Sequence, residues 1–283
     1  MNHKVNILVA LTALIMCGSC TRGKNPTTSD TSCNVAGDPT CGVLSVTIPE
    51  KEFSTVKGIR VTSDQMKGDS AVVLTCKDEV NISGSETFQI AIPARSYDGL
   101  VIEVSANGTT YSKCMATKDV NPICIEAGKT TSIQYATNAV RLWAGSPYWS
   151  TMNLGETMEQ GNTCTYAWSD SIVTAIWGKN WCMPEKEDMD ILMQKPTYET
   201  CGKVGGWAIY GTANTEYAEN KIFLPSIYSD SFFARASYFT GTEFSREQAW
   251  LAVLTQYGDC YRRCWNQGDK IFIIFIRPVL SLN

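Results

Sequence analysis

Residues 255–279, TQYGDCYRRCWNQGDKIFIIFIRPV, decide how the second half of this chain is read. A polar, cysteine-bracketed run at 256–267 leads straight into an apolar run at 271–279 whose length and composition are those of a closing strand. An earlier strand ends near Leu254, so the polar run reads as exposed surface carried between two rigid strands. Tyr and Trp offer large contact area at low entropic cost, and Arg offers a planar fork of donors. Tyr257, Asp259, Tyr261, Arg262, Arg263, Trp265 and Asn266 therefore form a candidate ligand-binding set. A bridge between Cys260 and Cys264 would stiffen this segment. In the other reading each cysteine pairs elsewhere, Trp265 packs in the core and the arginines are solvated.

Outward from this segment, the chain falls into two halves with different grammar. All eight tryptophans lie from Trp143 onward, accompanied by glycines, and strands become sparse after Asn138. One amphipathic helix is expected over 184–195, PEKEDMDILMQK. Pro184 suits a first helical turn, Glu185, Glu187 and Asp188 sit at the positive end of the dipole, and Lys195 sits at the negative end. Met189, Leu192 and Met193 then share an apolar face. Between Cys41 and Ala136 the pattern is instead short alternating runs with turn residues between them. Leu44, Val46 and Ile48 fall on one face, as do Leu100, Ile102 and Val104, the period-2 signature of half-buried strands. Asn107-Gly108 between two such runs signals a hairpin, because both turn residues must accept positive φ. The first half reads as an all-β sandwich of a size that suits one core.

The bulk numbers bound the function. Of 283 residues 44% are hydrophobic and 18% charged, as in an ordinary folded protein. The net charge of −4 becomes −5 if Lys4 leaves with a leader, and no face-sized basic run exists to bind nucleic acid. The single histidine is His3. The chain beyond it therefore excludes Ser-His-Asp and Cys-His nucleophilic sites and any His-ligated metal. No enzyme activity, cofactor or metal is expected.

Residues 1–19, MNHKVNILVALTALIMCGS, have a polar start with one Lys, an apolar run and small residues before Cys20: a secretory signal too short for a stable membrane span. The ending CGSC resembles the lipobox of bacterial lipoproteins, with Cys17 in the usual Leu position. That resemblance implies lipidation of Cys20 and a membrane anchor. Residues 20–40 are rich in Ser, Thr, Asn, Asp, Gly and Pro with almost nothing to bury, the composition of a flexible tether. Of the twelve cysteines, ten remain once Cys17 and Cys20 are set aside, an even number that favours disulfides in an oxidising compartment.

Two further resemblances set the expected domains. FQIAIPA at 88–94, ANGTTYSK at 106–113 and IEAGKTTSI at 125–133 resemble the fimbrillin family, subunits of surface pili exported as lipoproteins. An immunoglobulin-like or transthyretin-like spacer domain is the other reading. The ordered series LWAGSPYWSTMNLGE, TYAWSD, NWCMPEKEDMDIL, GGWAIYG, KIFLPS, ASYFTGTEF, AWLAVL and IRPV is similar to the bacterial "major paralogous domain" family. That similarity implies the C-type lectin-like fold shared with formylglycine-generating enzymes, with few regular strands, two helices and long loops. WNQ at 265–267 matches only part of a calcium-lectin motif, so no calcium requirement is expected.

The expected architecture is a signal at 1–19, a tether at 20–40, a fimbrillin-like all-β sandwich at 41–137 and an α+β C-type lectin-like domain at 138–283. The implied function is a cell-surface or outer-membrane lipoprotein acting as adhesin or pilus tip or accessory subunit. Its partners would be a host or neighbouring-cell glycan or protein ligand, other pilus subunits through strand donation, and the membrane through lipid. Alternatives are a monomeric glycan-binding lipoprotein for nutrient capture and a formylglycine-generating-type enzyme. The closing R-P-V also resembles the variable proteins of diversity-generating retroelements. Each residue from Tyr257 to Cys264 is reachable from an Asn AAC codon by changing adenines.

Overall fold

The computed structural model describes residues 16–19, 40–66, 70–106, 110–117, 122–155, 164–194, 196–201, 204–226, 228–229, 233–257 and 260–280, with backbone alone at 16–19, 70, 228–229 and 260. Cys20, Asn107, Gly108, Lys195 and Asp259 lie outside them. Described secondary structure is mostly β, arranged in several sheets, with helices α1 (Ile172–Trp177) and α2 (Lys186–Leu192). Contacts divide the chain into two compact units that interleave in sequence. The first holds 1–95, 104–109 and 124–135, and the second holds 96–103, 110–123 and 136–283.

In the first unit Cys41–Pro49 is the middle of a three-stranded sheet, parallel to Thr130–Gln134 and antiparallel to Ser85–Pro93. Leu44, Val46 and Ile48 are fully buried, as their spacing requires of one strand face. Gly42 is dictated by close approach: a Cβ there would stand 2.3 Å from the Glu126 carbonyl oxygen. Thr55–Thr62 pairs antiparallel with Ser70–Asn81, with a register shift between Val56 and Gly58. Met16–Ser19 lies antiparallel along residues 70–73. Ile59 stands opposite Leu74 and Val61 opposite Val72, and Val56 and Cys76 are buried with them. Two sheets that each bury one face are consistent with the β-sandwich expected from the alternation.

The second unit contains three sheet regions. Lys113–Ala116, Ala139–Val140, Tyr148–Ser150, Val279–Leu280 and Trp181–Cys182 are successive neighbours in one. Thr197–Cys201, Val204–Tyr210 and Lys221–Pro225 form an antiparallel meander. Phe233–Glu243, Gln248–Tyr257 and Cys260–Asp269 form a long antiparallel ribbon, extended by Tyr228–Ser229 and by the parallel Phe275–Ile276. Trp149, Trp177, Trp181 and Trp207 are fully buried, so half of the tryptophans that mark this part of the sequence are core.

Three expectations are corrected here. Residues 271–279 are not one strand: the chain turns at 269–272, where the Phe272 N–H donates to the Asp269 carbonyl. Ile271, Phe272 and Ile273 are left 80%, 51% and 65% exposed. Ile274 makes a single antiparallel bridge to Tyr166, and Phe275–Ile276 and Val279–Leu280 are two short strands separated by Arg277 and by Pro278, which has no N–H to give a ladder. The polar run before it is not a loop but the regular edge strand Cys260–Asp269, in register with Gln248–Tyr257 along its whole length. The helix expected over 184–195 is shorter, Lys186–Leu192, with Glu185 as N-cap and Pro184 ahead of it, and α1 adds a second helix. Met189, Leu192 and Met193 do bury the expected face.

Arg277 holds the centre of this unit. It is fully buried, donating from Nη1 to the Ser150 carbonyl at 3.1 Å and from Nη2 to the Phe223 carbonyl. The Tyr238 hydroxyl lies against it and donates to the Pro225 carbonyl at 2.9 Å. Desolvation pulls the guanidinium down to about 10, which leaves it charged at neutral pH. Replacing Arg277 by Ala strands two buried carbonyls, so Arg277→Ala is expected to lose about 3 kcal/mol of stability. Urea unfolding followed by tryptophan fluorescence measures this, and an unchanged midpoint would refute the assignment.

Candidate functional site

Strand alternation sorts the candidate residues onto two faces. Trp265 stands opposite Ala252, Arg263 opposite Leu254 and Tyr261 opposite Gln256, all on the face over α2. Arg262, Cys264 and Asn266 alternate onto the other face and are exposed. Tyr257 is 59% exposed at the end of its strand. On this second face Gly268 leaves room for Leu251, whose Cδ1 would stand 2.3 Å from a Cβ at 268.

The residues facing α2 are donors to it. The Tyr261 hydroxyl donates to the Met193 carbonyl at 3.2 Å and Arg263 Nη1 to the Asp190 carbonyl at 3.3 Å. Trp265 Nε1 donates to Asp190 Oδ1 at 3.2 Å. The last carbonyls of a helix have no partner within it, so a strand edge rich in N–H and O–H groups completes this end. The opposite end is held by the Phe233–Glu243 strand. Thr242 Oγ1 accepts the Lys186 N–H at 2.9 Å and donates to Glu185 Oε2 at 2.6 Å, while the Gly241 N–H donates to the Pro184 carbonyl. Glu185 makes no side-chain cap of its own, so the sheet supplies the cap across space.

This clamping fixes where Lys186 points. Its ammonium lies 4.5 Å from the Trp265 ring centroid and 5.2 Å from that of Trp250. The two indoles stand at 83° with centroids 6.2 Å apart, and Phe244 meets Trp250 edge-on at 5.1 Å. Phe244 is 45% exposed and both indoles are partly exposed, so the corner opens to solvent. Among the described residues Lys186 has no carboxylate within ion-pair distance. The sequence singled out Trp265 but not Lys186, Phe244 or Trp250. A Gly-Asp turn at 258–259 read as a two-residue hairpin would have set Ala252 opposite Trp265 and brought Trp250 diagonal to it.

A second concavity, of about 330 Å³, is lined by Arg141, Ser146, Tyr148, Asp188 and Leu280 and is open to solvent. Its polar groups are engaged with one another: the Tyr148 hydroxyl donates to Glu103 at 2.7 Å and the Arg141 guanidinium lies 4.4 Å from the Tyr148 centroid. Burial raises the Asp188 carboxyl above its ordinary range. No group of three His, Cys, Asp or Glu side chains gathers to hold a metal among the described residues. None of the helices searched among them is long and apolar enough to cross a membrane.

No disulfide joins cysteines of the described residues. Cys260 and Cys264 lie four residues apart on one strand, about 13 Å between Cα atoms, beyond the span of a disulfide. Compared with family models, curated proteins and solved structures, the chain matches none.

Thiol reactivity follows from this placement. Cys182 is pushed up to about 11 by burial, with Glu185 and Asp188 adding to the effect, and burial also raises Cys76. Both stay protonated at neutral pH, whereas Cys124, Cys201 and Cys264 are exposed. A thiol reagent is expected to mark the exposed three in the folded protein and the other two only on unfolding, as read by peptide mass spectrometry. Separately, Tyr261→Phe removes one donor from the end of α2 and is expected to cost about 1 kcal/mol in the same urea assay.

Proposed function

We propose that this chain is an exported lipoprotein of the outer membrane or cell surface, anchored at Cys20, that acts as an adhesin or as a pilus tip or accessory subunit. In this reading a fimbrillin-like sandwich anchors or polymerises. A C-type lectin-like α+β domain contacts a host or neighbouring-cell glycan or protein ligand. The observation that carries it is the solvent-open corner of Phe244, Trp250 and Trp265 around Lys186. Partly exposed rings held at right angles on a rigid ribbon present flat apolar faces, on which sugar rings or partner side chains stack.

The corner adds Phe244, Trp250 and Lys186 to the residues singled out in sequence, and it keeps Trp265 at its centre. Tyr261 and Arg263 support it by holding α2, while Tyr257, Arg262 and Asn266 offer a separate exposed edge. The leader and the CGSC ending support the anchor, and the polar tether at 20–40 supports display away from it.

Three measurements test the reading. Cys20→Ser is expected to abolish incorporation of an alkyne-tagged fatty acid and to release the protein from membranes. Phe244→Ser combined with Trp265→Leu is expected to reduce adhesion of expressing cells, or binding on a glycan panel, by about tenfold or more. Undiminished binding by that double variant, with its thermal transition intact, would remove the corner as the ligand surface. Recovery from sheared filaments, rather than from membranes alone, separates a pilus subunit from a monomeric lipoprotein.

A further inference from the structure

We propose that the Trp250–Trp265 corner is a cation cage for an organic ammonium group, and that Lys186 is its internal occupant. This rests on the reading of the corner as the ligand surface and names the chemistry that the surface takes.

Lys186 already occupies the corner. Its ammonium has no carboxylate at ion-pair distance among the described residues and sits over two indole faces, at 4.5 and 5.2 Å from their centroids. A cation inside about 6 Å of an aromatic centroid is attracted by the negative face of the ring, and Trp gives the strongest such face. Perpendicular indoles present two faces to one point, the geometry in which aromatic cages hold quaternary and primary ammonium ions. The Trp265 N–H donates to the Asp190 carboxylate, which pushes electron density into the ring and strengthens its face. Glu185 and Glu187 are exposed beside Lys186 on the same segment, so the surroundings favour a cation over an anion.

The cage walls come from the ribbon and its occupant from α2. The lysine is a flexible four-carbon stem on a helix that the ribbon holds at both ends, so it can leave without disturbing the walls. An incoming ammonium therefore competes with a tethered one, and the apparent affinity is reduced by the fraction of time Lys186 fills the cage. Removing the lysine's charge while keeping its stem exposes the site at full strength.

The test uses the full-length chain and the Lys186→Met variant, titrated with choline, glucosamine and N-acetylglucosamine. Binding is followed by the indole N–H signals in nitrogen-proton correlation spectra. In Lys186→Met, choline and glucosamine are expected to shift the Trp250 and Trp265 signals with affinity about tenfold above the unsubstituted chain. N-acetylglucosamine, which lacks the ammonium, is expected to leave them in place. Adding Trp265→Leu to Lys186→Met is expected to abolish the choline response. If Lys186→Met keeps its thermal transition but neither ammonium moves these signals, the cage is refuted. If N-acetylglucosamine acts as strongly as glucosamine, cation recognition is refuted while a sugar-stacking surface stands. Retention of adhesion by the Phe244→Ser/Trp265→Leu variant would instead remove the ligand surface itself, so the two failures are distinct.

Discussion

A charged guanidinium with no carboxylate at ion-pair distance among the described residues sits at the centre of the second unit, and the arrangement around it follows from that. Burying an ion is tolerated only when its donors are met. Arg277 meets those of Nη1 and Nη2 with main-chain carbonyls, Ser150 from one sheet region and Phe223 from another, beside the Tyr238 hydroxyl of the long ribbon, while its Nε has no hydrogen-bond partner among the described residues. Carbonyls cannot be moved independently of their strands, so satisfying one side chain fixes three strands relative to each other. The closing residues of the chain supply it. Phe275–Ile276 pairs with the ribbon just before Arg277, and Val279–Leu280 lies between Tyr148–Ser150 and Trp181–Cys182 just after. Contacts of such long sequence separation carry a high loop-closure cost, so the unit cannot finish folding until its last residues arrive.

What the sequence made legible is what period and chemistry dictate locally. Leu44, Val46 and Ile48 bury together because alternate residues share a strand face, and Met189, Leu192 and Met193 because positions three and four apart share a helix face. The end of the chain misleads because an apolar run says nothing about direction. IFIIFIRPV has the composition of a strand, yet the turn closed by Asp269 and Phe272 redirects it, and three of its residues face solvent. The expected surface loop at 256–267 misleads in the opposite way. An edge strand whose inward face carries Tyr261, Arg263 and Trp265 shows no plain alternation of hydrophobicity, because those side chains pack against α2 and also give their N–H and O–H groups to it.

The same fact explains the site. A segment rich in Tyr, Arg and Trp suggested a surface of hydrogen-bond donors and aromatic rings. Several of these donors, however, are spent on α2. A seven-residue helix has little stability alone, and its direction is set by whatever satisfies its ends. Thr242 and Gly241 do so at the start, Arg263 and Tyr261 at the finish, so the ribbon dictates the rotation of the helix about its axis. Lys186 then has one place to go. Trp250 and Trp265 come from neighbouring strands and Phe244 from the turn that precedes Trp250; the pairing of Ala252 with Trp265 brings the two indoles to one corner with Lys186 of α2, so no short window of sequence contains the site.

Edge strands with unpaired main-chain groups invite association, and proteins blunt them with charge. Here the exposed edge of Cys260–Asp269 carries Arg262 and Asn266 on one face while the other is covered by α2. The strand thus divides its side chains by parity: odd positions build the support for an aromatic corner, even positions keep the edge solvated. A ligand surface formed this way is rigid before any ligand arrives, because each ring is held by the register of a long ribbon or by a carboxylate on a clamped helix. In the proposed cage the occupant is a lysine side chain rather than a wall, and recognition there reduces to whether a second cation displaces it.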